Sequence, residues 1–117
     1  MPNFDFVILH IGDLTSTISV ARQYSSLGIA EIRKRLTNQE AVISISTTSY
    51  PLEMTMTEGA KHQHSKILQV HQDLLELGNT VQVWYWVSDP KSYRVVEPAV
   101  MRNLMQSELE YLQQEYD

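Results

Sequence analysis

Three histidines in one predicted helix, His62, His64 and His71, are the residues of this chain best suited to metal binding. A zinc ion needs all of its ligand atoms within about 2 Å. On a helix, His62 and His64 point about 200° apart, and His64 and His71 lie about 10 Å apart along the axis. The spacing favours ordinary helix histidines, with a metal protein or enzyme built around these three kept as an alternative. A fourth histidine, His10, lies in an apolar stretch and is expected in the core or at a sheet edge.

Motifs for covalent or phosphate chemistry are missing from the sequence. There is no G-x-S-x-G nucleophile pattern, and none of the four glycines forms a G-x-G pair. The absence of cysteine removes thiol nucleophiles, thiolate metal sites and disulfides. We therefore predict a protein that is not an enzyme and that needs no cofactor and no metal.

Composition and charge narrow the class of partner. The 117 residues carry a net charge of -5, 43% of them are hydrophobic, and the pI is about 5.3. This acidity argues against nucleic-acid binding, which needs a positive surface, and favours a positively charged protein partner. The mean hydropathy of -0.25 and the lack of a long apolar run argue against a membrane span. With no signal sequence recognised and no cysteine, we expect a cytoplasmic protein.

The hydrophobic pattern predicts an α+β fold, with a small antiparallel sheet that carries helices on one face. Its order is β-α-α-β-(β)-α-β followed by a C-terminal helix. Predicted strands cover residues 4–11, 41–46 and 80–87, and residues 52–57 form either a further strand or a loop. Predicted helices run from Asp13 to about residue 25, over residues 29–36, from Gly59 to Gly78, and from Pro98 onward.

The two short helices meet at Leu27-Gly28-Ile29 within residues 17–36, TISVARQYSSLGIAEIRKRL. This stretch resembles the helix-turn-helix of the C-terminal domain of the bacterial ribosomal stalk protein, and residues 74–83, LLELGNTVQV, resemble the end of that domain. The matching or similar positions of the helical pair are Ile18, Arg22, Ser25, Leu27, Gly28, Ile29, Glu31 and Arg33. Gly28 is expected to adopt a positive φ or to let the two helices approach closely.

The resemblance implies a fold shared with the stalk domain and with the adaptor protein of the Clp protease. The length of 117 residues indicates one domain over residues 1–117, in which the resemblance implies a stalk- or adaptor-like core over residues 1–90 and the C-terminal helix is an extension over residues 91–117. The family's factor-binding lysines have no counterpart at Ser19 or Ala30, although Arg22 and Arg33 keep positive charge at two positions. One functional alternative that the resemblance suggests is an adaptor or translation-associated factor that uses the positive helix face of Arg22, Arg33 and Arg35.

The strand TVQVWYWV predicts the clearest candidate for a binding surface. Alternation places Trp84 and Trp86 on the side of the sheet opposite the helices. Either the amphipathic C-terminal helix covers these two indoles, or they form a surface for a partner or a second copy of the chain. In the acidic C-terminal segment, Glu108 and Tyr111 are further candidates for contact with a partner.

These observations favour a non-catalytic protein-binding module. The most specific hypothesis is a small immunity or inhibitor protein that binds a cationic toxin domain through complementary charge and shape. Neither nucleic acid nor membrane is expected as a partner, and a homodimer is left open.

Overall fold

The computed structural model describes residues 2–116, except for the side chain of residue 116, and has an α+β fold. The helices and strands are β1 (Asn3–His10), α1 (Leu14–Tyr24), α2 (Ile29–Thr37), β2 (Ala41–Ser46), α3 (Met56–Glu76), β3 (Thr80–Trp86), β4 (Arg94–Val96) and α4 (Pro98–Tyr116). A 3₁₀ turn, Pro90–Ser92, precedes β4. No described helix is long and apolar enough to cross a membrane.

The four strands form one antiparallel sheet in the order β2-β1-β3-β4. Phe4 in β1 stands opposite Ile45 on one side and Tyr85 on the other, and Val83 stands opposite Val96. Residues that stand opposite one another in neighbouring strands point to the same face. These apolar pairs therefore build one continuous hydrophobic face across the sheet.

All four helices contribute to a single core on that face, which confirms the predicted arrangement of helices on one side of a small sheet. Phe4, Phe6 and Ile8 of β1 face the helices and are almost fully buried, and Asp5 and Val7 between them, on the opposite face of this central strand, are buried as well. They belong to one cluster with side chains from each helix: Ile18, Ala21, Ile32, Leu36, Ile67, Val70, Leu74, Met101 and Met105. The opposite face of the sheet carries no helix among the described residues.

Residues 52–57 do not form a strand. The chain turns after Pro51, and α3 begins at Met56, three residues earlier than the glycine predicted to start it. Thr55 and Glu58 form a capping box, which satisfies two free N–H groups and fixes this start. The fourth strand is β4, which lies within the region predicted to be only a helical extension.

Of the two glycines to which the sequence assigned a structural role, Gly78 has the predicted role and Gly28 does not. Gly78 has a φ of +83° directly after α3 and ends that helix as predicted. Gly28 has a φ of -78°, and apart from its two chain neighbours no described residue has an atom within 4 Å of the place where its Cβ would be. The expectation of a positive φ or a close helix approach at Gly28 is therefore wrong, since this residue only precedes the first turn of α2.

One end of the sheet is held by the buried side chain of Asn79. Its Oδ1 accepts a hydrogen bond from the backbone N–H of Gly12 at 2.9 Å, and its Nδ2 donates to the Leu74 carbonyl at 2.9 Å. The hydroxyl of Thr17 lies within hydrogen-bond distance of the same amide group. The turn after β1 and the turn before β3 are thereby joined, although more than sixty residues of sequence separate them.

Candidate protein-binding surface

Trp84 and Trp86 lie on the face of the sheet that no described helix covers. Their neighbours Val83 and Tyr85 point into the core, where the Tyr85 ring packs on Phe4 with centroids 5.1 Å apart. Because successive side chains of a strand alternate, the two indoles are directed to the opposite side. The predicted facing of this strand agrees with the structure.

Four residues make an apolar surface on this side, which we call the tryptophan patch: Trp84, Trp86, Tyr93 and Val95. The rings of Trp84 and Tyr93 are stacked, with centroids 3.9 Å apart and planes 9° from parallel. Val95 stands opposite Trp84 in the neighbouring strand and is 50% exposed, while Tyr93 is 41% exposed. The Trp84 indole N–H donates to Gln82 Oε1 at 2.7 Å, which fixes the ring orientation. The two tryptophans are half-buried and Tyr93 and Val95 are exposed, so the patch is partly accessible, and the stacked Trp84 and Tyr93 rings are preorganised.

The C-terminal helix does not cover the tryptophans, so the expectation that it would is wrong. Helix α4 packs along α3, and its Met101 and Met105 side chains belong to the core with Phe4 and Phe6. The apolar side of α4 is thus used on the helical face of the sheet. The predicted amphipathicity is real, but sequence alone does not say on which face of the sheet the helix docks.

Asp5 lies beside the patch, between Ser44 and Trp84 in the register of the sheet. Only 8% of the residue is exposed, and its Oδ1 accepts a hydrogen bond from the Ser44 hydroxyl at 2.5 Å. Burial raises the pKa of this carboxyl, although Ser44, Trp86 and the Arg35 charge act in the opposite direction. The Trp86 indole N–H faces Asp5 without meeting the geometry of a hydrogen bond. A positive charge brought onto this face would favour the ionised carboxylate.

The three candidate arginines have different surroundings. Arg22 and Arg33 are exposed and form no ion pair with any described residue. Arg35 is engaged within the chain, because its Nε lies 3.1 Å from Glu31 Oε1 and its guanidinium donates to the Ala41 carbonyl at 3.0 Å. Arg35 therefore ties α2 to the edge strand β2, a role that the sequence analysis missed.

Glu108 is directed into the molecule. Its Oε1 lies 2.6 Å from His64 Nε2, and its Oε2 accepts from the Thr47 hydroxyl at 2.7 Å. Burial raises the pKa of Glu108, but the hydrogen bonds from His64 and Thr47 outweigh it, so the pKa lies below the ordinary value. Both carboxylate oxygens are thus used to hold α4 in place. Tyr111, in the following turn, is 56% exposed.

The histidines are dispersed. His62 is exposed, His64 is paired with Glu108, and the ring of His71 packs near Phe6 with centroids 6.1 Å apart. His10 is exposed at the end of β1. Within residues 2–116, no group of three or more His, Asp or Glu side chains is placed to hold a metal ion.

Comparison of the chain with protein-family models, with curated proteins and with solved structures found no match. The resemblance to the ribosomal stalk domain and to the Clp adaptor therefore stays a prediction from the sequence.

Proposed function

We propose that this chain is a non-catalytic protein-binding domain that docks a basic protein on the tryptophan patch. The observation that carries the proposal is the position of the patch on the helix-free face, where the amphipathic C-terminal helix leaves it uncovered. Large exposed apolar groups that are grouped together mark interaction surfaces more often than scattered ones.

The composition of the patch supports a binding role. Tryptophan and tyrosine are enriched among the few interface residues that supply most of the binding free energy. The stacked Trp84 and Tyr93 rings already restrain one another, so less side-chain entropy is lost when a partner docks. The surface needs neither a catalytic group nor a cofactor to act.

The charge of the chain supports a basic partner. The net charge is -5, and the carboxyl group of Asp5 lies beside the patch. Complementary charge accelerates encounter and disfavours other partners, whereas two copies of one acidic chain repel each other. An immunity or inhibitor protein for a cationic toxin is the specific form of this proposal, and a cytoplasmic location suits it.

The test begins with a basic protein that co-purifies with the chain from its native cells and is then purified separately. The affinity of this pair is measured for the unmodified chain, for Trp84→Ala and for Val100→Ala, a control at an exposed position of α4. We expect at least a tenfold loss for Trp84→Ala, little change for Val100→Ala, and weaker binding at higher salt.

Equal affinity of the Trp84→Ala variant would overturn the assignment of the surface. A partner without positive charge, or binding that is insensitive to salt, would overturn the charge argument. The remaining alternative is self-association, which light scattering of the isolated chain detects. If the unmodified chain is a dimer and the Trp84→Ala variant is a monomer, the patch serves self-association.

A second candidate function is the adaptor or translation-associated role suggested by the positive helix face. It is favoured by Arg22 and Arg33, which are exposed and form no ion pair with described residues. Reversing both charges with Arg22→Glu and Arg33→Glu should abolish association with a protease chaperone or a translational GTPase. Arg35 is unsuitable for this test, because its bonds to Glu31 and Ala41 make its replacement a structural change.

A further inference from the structure

A groove separates the C-terminal half of α3 from the start of α4. It consists of two adjoining cavities of about 510 Å³ and about 300 Å³, both of which are lined by His71, Leu75 and Pro98. Each volume lies in the range of sites for small molecules. The groove is separate from the tryptophan patch, whose four residues contribute to it only through Val95 in the smaller cavity.

The larger cavity combines apolar walls with positive charge. Leu68, Leu75 and Pro98 supply the apolar surface, and Leu75 is 47% exposed although it is a large aliphatic residue. The remaining lining residues are His71, Gln72 and Arg102, so no acidic residue lines the larger cavity, whereas Glu97 lines the smaller one. In a chain with a net charge of -5, a cavity lined by a basic residue and by no acidic residue is unusual.

Arg102 makes no ion pair or hydrogen bond with any other described residue. Burial, followed by the charge of Arg102, lowers the pKa of the nearby His71. The imidazole is itself held in place, because its ring packs near the core residue Phe6. The site thus contains a guanidinium without a counter-ion next to an oriented imidazole.

We propose that this groove binds a small free carboxylic acid with an apolar chain. The carboxylate accepts hydrogen bonds from the Arg102 guanidinium and from an N–H of His71, while the chain of the ligand lies against Leu68, Leu75 and Pro98. A guanidinium matches a carboxylate with two parallel N–H···O bonds. One arginine and one imidazole suit a single negative charge, and the apolar walls suit a hydrocarbon chain.

The test is an NMR titration of the labelled chain with hexanoate, and with 1-hexanol and acetate as matched probes. We expect saturable shifts of the His71 ring and Arg102 side-chain signals with hexanoate in the millimolar range. Hexanol lacks the charge and acetate lacks the apolar chain, so each should bind at least tenfold more weakly. Equal shifts by hexanol, or no saturable shift with hexanoate, would refute the proposal.

Variants locate the binding site. Arg102→Gln should weaken hexanoate binding at least tenfold, and Arg22→Gln, which removes an exposed arginine from α1, should leave the affinity unchanged. Leu75→Ser should weaken hexanoate binding without altering the weak shifts caused by acetate. Arg102 and Leu75 are both exposed, so the variants should keep the thermal midpoint of the unmodified chain. Unchanged affinity in Arg102→Gln would overturn the assignment.

Discussion

Replacing Glu108 with alanine should strongly destabilise the protein, because this carboxylate joins three separate elements. It extends from α4 to His64 of α3 at 2.6 Å and to Thr47, just after β2, at 2.7 Å. The side chains of His64 and Glu108 are only 7% and 16% exposed, so solvent screens the pair weakly. Without Glu108, Thr47 and His64 would both lose a partner in a buried environment.

The magnitude follows from these two losses. A buried polar group deprived of its partner costs about 1–3 kcal/mol, and both Thr47 and His64 would lose one here. The Nδ1 atom of His64 already lacks a hydrogen-bond partner among the described residues, so the ring has no alternative contact to rely on. We expect Glu108→Ala to lower the free energy of unfolding by about 3 kcal/mol. Glu108→Gln, which keeps one acceptor oxygen, should cost about half as much.

Urea unfolding followed by circular dichroism measures the loss, with Glu110→Ala as the matched control. Glu110 lies on the same helix, and its one hydrogen bond with a described residue is an exposed contact with Gln106 at 3.3 Å. Glu110→Ala changes the net charge and the helix propensity in the same way as Glu108→Ala. It should change the free energy of unfolding by less than about 0.5 kcal/mol. The difference between the two variants isolates the buried contacts of Glu108.

The effect should also depend on pH. The pKa of Glu108 is lowered from its ordinary value of 4.5, so the unfolded chain takes up this proton at higher pH than the folded one. The stabilisation is complete above pH 4.5 and is lost as the pH falls through the lowered native pKa. Equal stability of Glu108→Ala and Glu110→Ala at neutral pH, or a constant difference between them down to strong acid, would refute this account.

Three further predictions concern the turns, the helix-free face and the core. Gly12→Ala should cost about 2 kcal/mol in urea unfolding because its Cβ would collide with the Leu77 carbonyl, while Gly28→Ala has free space and should change stability by less than about 0.5 kcal/mol. The raised pKa of Asp5 means that stability falls as pH rises from 3.8 through the native value, and Asp5→Asn should remove this dependence; an unaltered pH series would contradict it. Met101→Ala should cost about 2–4 kcal/mol but leave the tryptophan emission maximum of the folded protein unchanged, whereas a red shift would show that α4 shields the patch.

The helices and strands that could be predicted from the sequence are those whose pattern is contained within a short stretch of residues. The alternation in AVISIS and TVQVWYWV is complete within six to eight residues, so β2 and β3 could be located without knowledge of their partners. Asp13 caps α1 and Gly78 ends α3 through backbone groups a few residues away. These interactions are short in sequence, and residue type alone indicates them.

The features that were missed depend on contacts between distant residues. Strand β4 has three residues, RVV, which are too few for a periodic pattern, and it is recognised only by its pairing with β3. The contacts of Glu108 with His64 and Thr47 span 44 and 61 residues of sequence. A glutamate on an amphipathic helix gives no sign of such partners, so its residue type predicts a position at the surface.

The amide of Asn79 has a practical consequence for anyone who adds sequence to this protein. This amide joins the turn after β1 to the turn before β3. An insertion in either turn would therefore separate the two turns and break the hydrogen bonds of Asn79 to Gly12 and Leu74. The loop between β2 and α3 lies at the other end of the sheet, and its Leu52 is 100% exposed. A fluorescent reporter or affinity handle belongs at that loop, where the chain can be opened without loosening either turn.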